Sequence, residues 1–163
     1  MKKKCIPVEE EQTSADLTLQ LLVYRKCVMN SGSSNNSYEQ RFKDLIDVLL
    51  WKYTEAHGKY IGCKYWSAGA LKSLQIYNNK IVTSNRVDPV YALRQEHIYP
   101  KNESIQRLLN LETPTIGLVN EILKLNIGVV VTVEENSRLS KHGNLNDPWQ
   151  RYRDANVEWH EQW

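Results

Sequence analysis

The chain has 163 residues, 41% of them apolar and 25% charged, with a net charge of +2. That length can bury a core without staples, and the composition excludes wholesale disorder. The charge balance is too even to diagnose a nucleic-acid binder, so any such role falls to a local basic groove.

The N-terminal stretch "MKKKCIPVEEEQ" has a basic start, but glutamates follow where a signal peptide has its apolar region. Residues 1–12 are expected to be loose. From Ala15 to Met29, "ADLTLQLLVYRKCVM" reads as a helix with Thr13 or Ser14 as N-cap. Leu17, Leu21, Tyr24 and Val28 form its apolar face, at spacings of four, three and four. "NSGSSNNS" over 30–37 is a connection rich in turn formers. "YEQRFKDLIDVLLWKYTEAH" is the clearest helix, with Phe42, Leu45, Ile46, Leu49, Leu50 and Tyr53 on its apolar stripe and Gly58 at its end. A shorter helical segment lies within 63–79, from Ser67. Its small residues Ala68, Gly69 and Ala70 permit close packing.

"KIVTSNRVDPVYAL" is irregular, turns at Asp88-Pro89, and leads to a strand over 90–99. After Pro100, "KNESIQRLLNLE" reads as a helix with Ile105, Leu108, Leu109 and Leu111 apolar. "TPTIGLVNEILKL" begins another, with Thr113 as cap and Pro114 at the first helical position. "NIGVVVT" over 126–132 is short, β-branched and bounded by polar residues, a buried strand. Thr132 then caps a helix over 133–142, with Glu135 as its capping-box partner. A Gly/Asn/Asp/Pro turn, a short helical piece and a tail with three of the five tryptophans close the chain.

The three cysteines, Cys5, Cys27 and Cys63, share no C-x-x-C spacing, so neither a disulfide framework nor a structural zinc site is expected. No apolar run approaches the roughly 20 residues of a membrane span. The expectation is one cytoplasmic α+β domain over 1–163, with no membrane association. It has a helical N-terminal half and a small C-terminal sheet, built from the 90–99 and 126–132 strands, with helices packed on it.

Two distant pieces carry the functional signal. One is a strand that ends in Glu96 and His97, in "EHIYPKN". The other is a strand followed by a helix, "VVVTVEENSRLSKH", with Asn136 one turn in. The layout, over 90–142, resembles the HNH, or ββα-metal, nuclease motif. It is also similar to uncharacterised bacterial and mobile-element proteins with an "LRHEHVVP"-like stretch. The resemblance implies roles. His97 would be the general base for an attacking water, because an imidazole exchanges protons near neutral pH. Glu96 and Asn136 would hold one hard divalent ion such as Mg²⁺, which would stabilise the leaving 3′-oxygen. Arg94 and Lys101 would clamp neighbouring phosphates.

Read as residues alone, the same features have plainer meanings. A Glu-His pair at a strand end is most often structural, Asn136 suits a solvated first turn, and His142 before Gly143 suits a helix C-terminus. "DPWQRYRDANVEW" interleaves aromatics with Arg151 and Arg153. That pattern either stacks on and neutralises a nucleic-acid strand or packs its tryptophans and snorkels its arginines. His57 and His160 have no evident partners. Two functions follow. The first is an HNH-like metal-dependent nucleic-acid endonuclease, or a degenerate relative of one. The alternative is a non-enzymatic inhibitor or regulator from a mobile element, whose partner is a protein.

Overall fold

The computed structural model describes residues 7–32, 35–83 and 87–162. The described residues form seven α-helices and four β-strands in an α+β arrangement, helical in the N-terminal half as expected. The chain divides into two compact units. One takes the chain up to Ala56 and again Lys101–Asn126; the other takes His57–Pro100 and the chain from Ile127 onward.

The first unit is helical: α1 (Pro7–Asn30), α2 (Asn36–Thr54), α4 (Lys101–Leu109) and α5 (Ile116–Leu123). Helix α1 starts at Pro7, well before Ala15, so residues 7–12 are ordered turns. A proline fits a first turn, and Glu9 and Glu10 favour the positive end of the helix dipole. Thr13 does not cap; its hydroxyl donates back to the Glu9 carbonyl at 2.7 Å, as Thr18 does to Ser14. The buried face also differs from the expected one. Ser14, Ala15, Thr18 and Leu22 turn inward while Leu17 and Tyr24 lie exposed, because small side chains let neighbouring helices approach closely.

Helix α2 is capped by Asn35, whose side chain accepts from the Ser37 and Tyr38 amides, and it buries Phe42, Ile46 and Leu50. With Ala15 and Leu22 of α1, and Ile105, Leu108, Val119 and Leu123 of α4 and α5, these last two residues build one aliphatic core. The cap of α5 is Thr115, two residues beyond the expected Thr113. No described helix is long and apolar enough to cross a membrane.

The second unit is a four-stranded sheet, ordered β2-β3-β1-β4, with β1 Tyr65–Ser67, β2 Leu93–His97, β3 Gly128–Thr132 and β4 Trp159–Glu161. Strands β2 and β3 are neighbours, as expected, and run antiparallel from Leu93↔Thr132 to His97↔Gly128. Where the chain departs after β2 and returns before β3, the Ile98 amide donates to the Ile127 carbonyl at 2.9 Å. Strands β1 and β4 are not legible in the sequence; β1 runs parallel to β3, and β4 antiparallel to β1.

All five residues of β3 are buried because both its faces are covered. Val130 packs with Cys63, Trp66, Ala70 and Leu93 on one side. Val129 and Val131 pack with Ile98, Leu139, Tyr152 and Val157 on the other. Helix α3 (Ala68–Ile76) follows β1, and α6 (Val133–Arg138) follows β3. The expected capping box is present: Thr132 accepts from the Glu135 amide at 3.1 Å, and the Glu135 carboxylate accepts from the Thr132 amide at 2.9 Å. That carboxylate also accepts from the Ser67 hydroxyl and, at 3.2 Å, from the Gly69 amide. A Cβ at Gly69 would stand 2.6 Å from it, so a larger residue there would have to displace this bonded carboxylate. Helix α6 stops at Arg138, short of the expected His142, because Leu139 leaves the helical path to join the core.

Candidate anion-binding cleft

Side chains alternate across a strand, and the burial of β2 follows that rule. Leu93, Gln95 and His97 are buried on one face, while exposed Arg94 and half-buried Glu96 point to the other. Adjacent in sequence, Glu96 and His97 are therefore sent to opposite faces of the sheet. His97 is only 1% exposed. Its amide donates to Glu96 Oε1 at 3.1 Å, and its carbonyl accepts from the Tyr152 hydroxyl at 3.3 Å. Gln95 shares its face, with neither amide atom hydrogen-bonded.

Glu96 faces α7 (Gln150–Asp154). Its Oε1 lies 3.9 Å from Arg151 Nη1, an ion pair beyond hydrogen-bond reach. Helix α7 is held by the turn before it. Asn144 accepts from the Asn146 amide and donates to Gln150 Oε1 at 2.8 Å, the Gln150 amide donates to the Asp147 carbonyl, and Arg153 pairs with Asp147. Trp149 stacks on Trp159 with centroids 4.3 Å apart and meets Tyr65 and Tyr152 edge-on. Tyr152 is thus core, and Trp149 and Trp159 are partly buried and packed against it. Burial pushes the Tyr152 hydroxyl far above the usual phenol range, and the Glu96 carboxylate adds to the shift.

Arg151 is the unusual member. Its side chain is 7% exposed, yet neither Nε nor Nη1 makes a hydrogen bond. Buried polar groups are nearly always paired, so such an orphan calls for a ligand or a water. It lines a cleft of about 230 Å³, formed by Ser140, His142, Gly143 and Asn144 with Gln150, Arg151 and Asp154. The loop reaches this position because Gly143 has no side chain; a Cβ there would stand 2.4 Å from Pro100 Cδ and 2.7 Å from the Tyr99 ring.

Comparison of the chain with family models, curated proteins and solved structures returns no match. The geometry alone carries the reading.

The structure thus joins Glu96 to Arg151, two residues the sequence assigns to different roles. It does not gather Glu96, His97 and Asn136 into one centre. Asn136 is half-buried on α6, outside the cleft lining, and is not bonded to Glu96 or His97. Among the described residues, no three His, Cys, Asp or Glu side chains are grouped to hold a metal ion. A divalent ion on Glu96 would meet the Arg151 charge, so the residues as placed do not fit the Mg²⁺ site that the resemblance implies. Lys101 belongs to the helical unit, where it pairs with Asp47 and lies over the Trp51 ring at 5.2 Å. Arg94 and Arg153 are exposed. No motif in the sequence alone connects His142, Gln150 and Asp154 to the Arg151 site. The available signal was the Asn/Asp turn that folds 140–144 against 150–154, and the i,i+3 spacing of Arg151 and Asp154 on one helix face.

Proposed function

We propose that this protein is a degenerate relative of the HNH nucleases that binds nucleic acid through a backbone phosphate in the Arg151 cleft, without a divalent metal. The observation that carries the reading is the buried guanidinium of Arg151, with two unbonded nitrogens, in a residue that lines a polar cleft. Arginine is the side chain best suited to phosphate oxygens, through charge and several fixed donors. Set beside Glu96, it supplies from the protein itself the positive charge that a metal ion supplies in an HNH nuclease. Phosphate oxygens entering the cleft would meet the charge of this guanidinium at its exposed edge.

Binding of fluorescent single-stranded oligonucleotides, followed by polarisation at low salt, tests this. EDTA leaves the affinity unchanged, and Arg151→Met lowers it on the order of tenfold or more. Affinity that requires Mg²⁺, or that survives Arg151→Met, would overturn the reading. Metal-dependent cleavage lost on His97→Ala would restore the nuclease mechanism in its place.

A further inference from the structure

We infer that the cleft takes RNA, with the phosphate on Arg151 and the neighbouring ribose 2′-hydroxyl on Asp154. This rests on the phosphate reading above and adds the class of polymer.

The cleft holds a carboxylate where an anion site should not have one. Asp154 lines the same cleft as Arg151, one helical turn further along α7. The i,i+3 spacing sets the two side chains on one face of the helix. Asp154 is exposed, and its carboxylate has no hydrogen bond or ion pair among the described residues. For a bare phosphate, a carboxylate nearby is a like charge and weakens binding. An ionised carboxylate is an acceptor alone, so its place here suits a ligand that carries a donor close to its anionic group. In RNA every nucleotide has that pair: the 2′-hydroxyl sits on the sugar carbon next to the one that bears the 3′-phosphate. DNA presents the phosphate without the hydroxyl and meets the repulsion uncompensated, and donors on the bases vary with sequence. The 2′-hydroxyl is the group by which proteins distinguish the two polymers.

The size agrees. A cleft of about 230 Å³ holds about eight waters at roughly 30 Å³ each, room for one phosphate and one sugar. It falls short of the ~300 Å³ at which pockets for whole small ligands begin. With a net charge of +2, nonspecific attraction to phosphate is weak, so a difference made by one hydroxyl is measurable.

The experiment compares a 12-nucleotide RNA, the DNA of the same sequence and the 2′-O-methyl RNA, by polarisation in EDTA. RNA binds tighter than DNA on the order of tenfold, as for one charge-assisted hydrogen bond, and the 2′-O-methyl strand behaves like DNA. Asp154→Ala, on an exposed position, brings the RNA to DNA ratio near one by lowering RNA affinity and raising DNA affinity. Equal binding of RNA and DNA that still depends on Arg151 would overturn the inference while the phosphate reading stands. A ratio unchanged by Asp154→Ala, or 2′-O-methyl RNA binding like RNA, would overturn it as well. Absence of binding to all three strands would overturn both.

Discussion

Arg25 in the helical unit and Arg151 in the sheet unit are both largely buried beside a glutamate, and they are held in opposite ways. All three Arg25 nitrogens donate: Nε and Nη2 to Glu39 Oε2 at 3.2 and 2.8 Å, Nη1 to the Leu109 carbonyl at 2.9 Å. Arg151 stands 3.9 Å from its glutamate, with two nitrogens unbonded. The first is a strut between α1, α2 and α4. The second is a buried charge kept in reserve. The same contrast separates Glu135, whose carboxylate receives donors from three residues, from Glu96. Arg25 and Glu135 are bonded as a strut needs, whereas Arg151 carries its charge into the interior with two nitrogens unbonded.

The largest effect expected is from ending the chain after Asn146. This removes α7, β4 and Tyr152, a fully buried member of the sheet unit's core. The near-ultraviolet circular dichroism of the tryptophans collapses, while α1 and α2, whose core ends at Leu123, retain their helical signal. A truncated protein with its tertiary signal intact would show the C-terminal segment to be an appendage.

Paired substitutions sharpen the contrast between the arginines. Arg25→Met strips three hydrogen bonds and leaves Glu39 without its cation, which costs about 2–3 kcal/mol in urea unfolding and leaves oligonucleotide affinity alone. Arg151→Met changes stability by about 1 kcal/mol or less, because a poorly paired buried charge contributes little, and lowers oligonucleotide affinity on the order of tenfold or more. The reverse assignment would make Arg151 the strut.

Tyr152 offers a test in pH. Its hydroxyl is held protonated by burial, so its folded-state pKa lies above the unfolded value of about 10. The stabilisation from this group is therefore complete below about pH 10 and is lost as the pH rises beyond it. Tyr152→Phe costs about 1 kcal/mol at neutral pH for the bond to the His97 carbonyl and flattens the alkaline decline. An equally steep decline in the variant would place its cause elsewhere.

The smallest effect is at Leu17 of α1. Leu17→Ala, on the outward face, changes stability by less than about 0.5 kcal/mol, whereas Leu22→Ala costs about 2–5 kcal/mol. Equal costs would mean that Leu17 is covered in solution.

What lies within a few residues was legible in the chain itself. The Thr132–Glu135 capping box, the stripe of α4, the Phe42, Ile46 and Leu50 part of the α2 stripe (Leu45, expected on it, is exposed) and β3 from its β-branched run all depend on neighbours in sequence. The pairing of β2 with β3 could also be expected, since no other long apolar run competes for that place. Tertiary structure decided the rest. Strands β1 and β4 have three residues each, too few to show a period, and they exist because distant partners supply their hydrogen bonds. Helix α1 has apolar residues on more than one side, and the neighbours with which it packs chose the face of Ala15 and Leu22. Glu96 and His97 look like a pair in sequence, but strand alternation parts them. Glu96 and Arg151 are 55 positions apart, yet packing of α7 on the sheet joins them. Sequence periodicity sets which way a side chain can point along its own element. What it meets there depends on chain closure over tens of residues, and that is where the cleft arises.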